Sequence, residues 1–167
     1  MIGDVLTSSI LFEALRQKFP KAQLNYLINE HTYPVVQNNP FINNFVFFTK
    51  NEEISKIALI KLAKAIRKEE YDIIIDVYSK LSSNIITVLS GAKTKISKYK
   101  WYTSFIYSHT FKEYKKPKTF AGLAIENRLQ LLNPILEEKP QIIKPKIYLT
   151  NKEIESSKQF LAANNID

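Results

Sequence analysis

The sequence predicts an α/β protein built on a Rossmann-like, doubly wound parallel sheet. Three observations carry that expectation. Amphipathic helical stretches alternate with short apolar stretches along most of the chain. Tyr71-Asp72-Ile73-Ile74-Ile75-Asp76-Val77 is a β-branched apolar run bounded by acids, the pattern of a strand buried on both faces of a parallel sheet. Gly3-Asp4 stands directly ahead of a helical run with no strand before it, as though the chain began inside the first βα unit of an open sheet.

Element by element, Leu6, Ile10, Leu11, Ala14 and Leu15 recur at helical spacing, so a helix is expected from about Asp4 to Lys18, stopped by Pro20. Leu24 to Ile28 reads as a strand, His31 to Gln37 as a short helix closed by Asn38-Asn39-Pro40, and Phe45 to Phe48 as a second strand. Ile54, Ala58, Leu62, Ala65 and Ile66 mark an amphipathic helix with lysines and glutamates on its other face. The strand over 71–77 follows, then a helix from about Leu81 to Leu89 with Gly91 as a natural C-terminal stop, then a short strand at Thr94 to Ser97. Beyond Lys100 the pattern weakens into an aromatic and basic stretch and a lysine-rich loop. Helix returns over Ala121 to Leu132, a short strand is expected at Ile147 to Leu149, and a last helix over Glu153 to Ala163, capped by Thr150 or Asn151. A new strand could begin at Asn164-Asn165-Ile166-Asp167, so both ends look cut.

At 167 residues and 45% hydrophobic content, the chain suits one domain with a real core. The absence of cysteine excludes disulfides and thiolate metal sites, and His31 and His109 lack the spacing of a zinc helix, so no metal is expected. No apolar run is long enough to span a bilayer and no signal-peptide pattern appears, which reads as a cytoplasmic protein. The net charge of +8, from 24 basic against 16 acidic residues, favours anionic partners. Lysines are dense over Lys93, Lys95, Lys98, Lys100 and again over Lys112, Lys115, Lys116, Lys118; an ordinary solvated surface accounts for them equally well.

Several segments in register resemble glycosyltransferase family 9, the lipopolysaccharide heptosyltransferases. Ile2-Gly3-Asp4-Val5-Leu6 is similar to the family's turn and helix start, and Lys18-Phe19-Pro20-Lys21-Ala22-Gln23-Leu24 to its passage into the second strand. Asn38-Asn39-Pro40-Phe41-Ile42-Asn43 resembles the loop before the third strand, and Tyr71-Asp72-Ile73-Ile74-Ile75-Asp76 with Ser82-Ser83 resembles a later strand and its serine-bearing helix. Ala124 to Leu132 resembles the family's Val-Glu-Arg-type helix. The sequence departs from the family pattern at Ile10 (usually Pro), Tyr78-Ser79 (Gln-Gly), Ser82 (a basic residue) and Leu123 (His).

The resemblance implies one half of a two-domain GT-B enzyme: a single N-terminal, acceptor-side domain over 1–167, lacking its first strand, incomplete at both ends and without the donor domain. It implies inverting transfer of heptose or a related sugar from an ADP-heptose-like nucleotide-sugar to the lipopolysaccharide core. It further implies an anionic glycolipid acceptor, no cofactor and no nucleic-acid partner, with room for peripheral contact on the cytoplasmic face of the inner membrane. The 167-residue chain alone would be inactive.

Inverting transfer needs a group to take the acceptor hydroxyl proton, and a carboxylate within hydrogen-bond reach does this. By resemblance that base is Asp4; by its position alone, Asp4 caps a helix, where free amides favour the anion at the expense of basicity. Gly3 would permit a tight turn beside a ligand. Ser8 and Ser9 would donate to an acceptor or bond their own backbone. Asp76 ends the apolar strand, where crevice residues lie, or caps the next helix. Lys80, Lys98 and Lys100 would face a phosphorylated or carboxylate-bearing acceptor, or simply solvent. Trp101, Tyr102, Phe105 and Tyr107 read as a membrane-facing or sugar-stacking loop, or as core. Two other accounts compete: a basic nucleic-acid-binding module, because aromatics interleave with lysines over Lys98 to Lys118, and an inactive remnant of a longer protein.

Overall fold

A computed structural model describes residues 2–138 and 140–164, so Met1 and the expected strand start at Asn165-Ile166-Asp167 lie outside the described residues. Helix α1 (Ile2–Ser8) and helix α2 (Ile10–Lys18) run almost as one, interrupted at Ser9. Gly3 and Asp4 therefore sit inside the first helical turn and not in a turn ahead of it. This corrects the expected role of Gly3: a Cβ added there meets nothing within 4 Å, so neither space nor backbone demands glycine.

Strand β1 (Asn25–Asn29) leads through a 3-10 stretch at Glu30–Val35 to strand β2 (Asn44–Phe48). A short helix α3 (Lys50–Ile54), not expected from the sequence, is set off by a reciprocal cap between Thr49 and Glu52. Helix α4 (Lys56–Lys68) begins where the Ser55 hydroxyl accepts from the Ala58 amide. Strand β3 (Ile73–Asp76), helix α5 (Leu81–Leu89) and strand β4 (Thr94–Lys98) follow the expected order, and Gly91 takes the left-handed conformation (φ +77°) that ends α5. Strand β5 (His109–Phe111) comes out of the aromatic stretch and is too short to show a period in the sequence. Helix α6 (Leu123–Leu129) tightens into a 3-10 turn at Gln130–Leu132, and helix α7 (Asn151–Ala163) starts at a Thr150–Glu153 capping box. The strand expected at Ile147 to Leu149 does not form: this segment takes no regular structure and pairs with no strand among the described residues, and Ile147 and Leu149 are exposed.

Every strand pairing is parallel, as expected for this class. The expected single sheet is instead two: β1-β2, in register Asn25 to Asn44, and β3-β4-β5, in register Ile73 to Thr94 and Ile96 to His109. A hydrogen bond from Asn25 Nδ2 to the Tyr71 phenol (2.6 Å) ties one sheet to the other. Among the described residues β3 pairs only with β4, and its first residue is not buried on both faces: Ile73 is 40% exposed.

Strand alternation sends successive side chains to opposite layers. Leu27 and Ile74 join Leu59, Ala63, Ile66 and Ile86 under α4 and α5. Ile75 and Val77 join Ile10, Leu11, Leu129 and Leu132 under α2 and α6, while Ile28 packs with Val5 of α1. The result is a helix–sheet–helix sandwich whose strand C-termini share one edge with Asp76, Lys98 and the loops after them.

Candidate functional site

Two polar assemblies occupy that edge. The first joins α1, α6 and the loop after β3. Arg128, on α6, is only 9% exposed; its Nε donates to the Ser8 hydroxyl at 3.1 Å, and its Nη2 lies 3.6 Å from Asp4 Oδ1. The guanidinium also lies over the Tyr78 ring, 5.3 Å from its centre. Tyr78 Oη is buried without a hydrogen-bond partner among the described residues, and burial pushes that phenol above the ordinary tyrosine range against the pull of Arg128. Beneath it, the Tyr26 phenol donates to the Val5 carbonyl at 3.0 Å, and burial holds it well above its usual value. Asp4 keeps 29% of its side-chain surface exposed, with this one long contact to a cation.

The second assembly is closed. Asp76 Oδ1 accepts from the amides of Tyr78 (3.0 Å) and Ser79 (2.8 Å), and Oδ2 accepts from the Tyr107 phenol at 2.7 Å. The Tyr107 oxygen also lies 2.6 Å from the Asn84 amide oxygen; its single proton belongs with the charged acceptor. Burial first, then the neighbouring Asp76 charge, drives the Tyr107 phenol above its ordinary range. Ser79 takes a left-handed backbone (φ 48°) at 1% exposure, a conformation that costs a non-glycine residue about 1–2 kcal/mol. Its hydroxyl bonds Asn84 and Thr103 at 3.0 Å each, and its carbonyl accepts from Lys100 at 2.6 Å, which over-determines the turn.

The residues singled out from the sequence thus separate. Asp4 and Ser8 meet at Arg128, whereas the Ser9 hydroxyl bonds its own helix at the Leu6 carbonyl (2.8 Å). Asp76 spends its oxygens on internal donors. Lys100 is tied to the Tyr78 and Ser79 carbonyls, Lys98 lies 3.5 Å from Glu113, and Lys80 is exposed over the Tyr78 ring at 5.7 Å. Of the four aromatics, Tyr107 is core while Trp101, Tyr102 and Phe105 are exposed. Among the described residues no three potential ligands converge on a metal position.

Sequence reasoning passed over Arg128 and Tyr78 as site residues. A signal existed: Glu126-Asn127-Arg128 is a polar run inside an otherwise apolar helix, and all three are buried. Buried polar side chains require partners, and that is what placed Arg128 against Ser8.

The model of Glycosyltransferase family 9 (heptosyltransferase) matches residues 59–165. Lipopolysaccharide heptosyltransferase 3 of Escherichia coli is 28% identical over 138 residues, covering 80% of this chain and 40% of that protein. The crystal structure of a family 9 glycosyl transferase from Veillonella parvula superposes with a TM-score of 0.76 at 18% identity, over 100% of this chain and 48% of the other. E. coli heptosyltransferase WaaC with ADP gives a TM-score of 0.68 at 17% identity, over 84% and 47%. The chain spans about two fifths to one half of the length of these relatives.

Proposed function

The chain belongs to glycosyltransferase family 9, and from that premise we propose that it forms the acceptor-side half of an inverting, heptosyltransferase-like enzyme of GT-B architecture. In this reading a nucleotide-sugar of the ADP-heptose type occupies a second, donor-binding half, and the acceptor is an anionic lipopolysaccharide-core glycolipid. The relatives' names support that choice: WaaC is described with ADP, and the E. coli relative as a lipopolysaccharide heptosyltransferase. The working location is the cytoplasm, with peripheral contact to the inner membrane; no helix among the described residues is long and apolar enough to cross a membrane.

One observation carries the mechanism. Asp4 is a carboxylate at this edge that stays reachable by solvent while a buried cation, Arg128, sits against it. Asp4 accepts the proton of the acceptor hydroxyl as that oxygen bonds to the anomeric carbon. The bond from that carbon to the nucleotide diphosphate breaks on the opposite face, and its electron pair leaves with the diphosphate. A positioned base of this kind contributes about 10²–10⁴ in rate. Arg128 is a positioning residue: it holds Asp4 through Nη2 and the first helix through Ser8. Ser8 ties the first helix to Arg128, and Asp76 fixes the turn that carries Lys80. Lys80 supplies positive charge toward the acceptor's anionic groups, while Lys98 is shared with Glu113 and Lys100 fastens the turn through the Tyr78 and Ser79 carbonyls.

The test separates binding from transfer. The folded 167-residue chain should bind a lipopolysaccharide inner-core oligosaccharide in calorimetry and should transfer no sugar from ADP-heptose. Transfer by this chain alone would refute the half-site assignment. A folded chain that ignores the oligosaccharide would favour the inactive remnant.

A further inference from the structure

Exposed large apolar side chains on this protein are not scattered. Helix α5 turns Leu81 (78% exposed) and Val88 (51%) outward, seven residues apart with Ile85 between them, on one helical face. Across a groove of about 760 Å³ stands the loop after β4, which presents Phe105 (84%) and, beside it in the chain, Trp101 (79%) and Tyr102 (53%). Trp101 and Tyr102 pack edge to face, with ring centres 5.5 Å apart, so the loop is a braced platform. Soluble chains rarely leave a contiguous apolar patch of this kind open to water.

The charged side chains that line the groove are both lysines, Lys80 and Lys100. Between Asp76 and Glu113 the chain holds no carboxylate and six lysines, of which Lys93 lies at the other end of the sheet and lines a separate pocket with Glu70 and Asp72. Lys80 is exposed on the groove, and Lys112 lies over the exposed Tyr99 ring at 5.4 Å, at the same end of the sheet. Lys100 is spent internally, but its bonds to the Tyr78 and Ser79 carbonyls fasten the aromatic loop to the turn beside the Asp4–Arg128 cluster. Lys98, at the end of β4, meets Glu113 at 3.5 Å.

We infer that the outer face of α5 and the Trp101–Phe105 loop form a docking surface for an anionic lipid bilayer. The aromatics and Leu81 enter the headgroup boundary, where amphipathic rings are most stable, and the lysines meet lipid phosphates. Neither signal suffices alone: short apolar insertion and a modest basic patch each bind weakly, whereas together they hold a protein at a surface. Docked in this way, the sheet edge beside which α1 and α6 hold Asp4 and Arg128 lies next to the membrane, where a lipid-anchored acceptor would be presented. The assignment rests on the peripheral contact proposed above, and its test uses vesicles and no sugar, so either can fail alone.

Trp101 is the sole tryptophan of the chain and reports its own environment. The full chain, with its fold checked by circular dichroism, is mixed with phosphatidylcholine vesicles containing phosphatidylglycerol at about one lipid in four. Expected are co-sedimentation, a blue shift of Trp101 emission and its quenching by brominated acyl chains, all much weaker on pure phosphatidylcholine. Phe105→Ser, a solvent-exposed change, should lower the partition coefficient about tenfold. Failure to sediment, or sedimentation with Trp101 neither shifted nor quenched, overturns the assignment. So does an unaltered partition in Phe105→Ser, or a single-stranded oligonucleotide that shifts Trp101 more strongly than vesicles do, which would assign this face to nucleic acid.

Discussion

Asp4 and Asp76 are carboxylates of the same sheet edge, and the protein treats them in opposite ways. Asp76 is 7% exposed and holds two backbone amides and a phenol; its geometry is saturated before any ligand arrives. Asp4 has a single cation at 3.6 Å and an open flank. A buried carboxylate already bonded to three internal donors stabilises a turn and is closed to a reacting proton from solvent. A partly exposed one with a buried counter-charge can accept a proton from outside. The contrast teaches that position at the strand ends nominates a residue, and that its unused bonding capacity decides what it does.

The sharpest way to break the contrast is Asp4→Asn. In an enzyme that also carries a donor-binding half, transfer should fall about 10³-fold, roughly 4 kcal/mol in activation free energy. Stability should change by less than about 1 kcal/mol, because the contact to Arg128 is long and partly solvated. Retained turnover would remove Asp4 from the base role. Asp76→Asn should do the reverse. Its amide cannot accept from all three donors, so a urea melt should show a loss of about 3 kcal/mol, with the fold of the 78–80 turn disturbed first. An unchanged midpoint would mean the network is ornamental.

Arg128→Gln probes the cation that faces Asp4 and should cost about 2 kcal/mol in the same melt. It leaves Ser8, 1% exposed, without its donor, while Asp4 can turn to water. If Arg128 positions Asp4, this variant also lowers kcat more than it raises KM in the complete enzyme. A purely structural arginine would leave that ratio unmoved.

Most of the scaffold was legible before the structure, and the reasons are local. The periodicity of α4, the β-branched run of β3 and the Thr150 cap each state their element in a few adjacent residues. What was missed depends on partners far along the chain. Strand β5 exists because Ile96 and Lys98 offer it a ladder, and the Ile147 segment fails as a strand because no ladder reaches it. The site divides in the same way. Asp4 was visible through its place ahead of an apolar helix; Arg128 acts on Ser8 from 120 residues away, and only burial of its polar helix face hinted at a partner. Asp76 was singled out by its position at the end of β3, but its oxygens are taken by internal donors, among them Tyr107, which composition could not separate from Trp101 or Phe105.

A third carboxylate offers the mildest test of the same principle. Glu126, on α6 two residues before Arg128, clamps the loop ahead of it: its oxygens accept from the amides of Lys118 (2.9 and 2.8 Å) and Thr119 (2.6 Å) and from the Thr119 hydroxyl (2.6 Å). The Thr119 hydroxyl, followed by the Lys118 amide, holds this carboxyl below the usual glutamate range. A depressed folded-state value means the clamp's contribution is complete above the unfolded glutamate pKa of about 4.3 and is lost as pH falls through the lower folded value. Wild type should therefore melt above Glu126→Gln by a constant small margin at neutral pH, and the two curves should converge only in acid. A margin that persists to the lowest pH would show that the loop needs the shape of the side chain and not its charge. Glu126 would then not be a saturated carboxylate in the sense that Asp76 is.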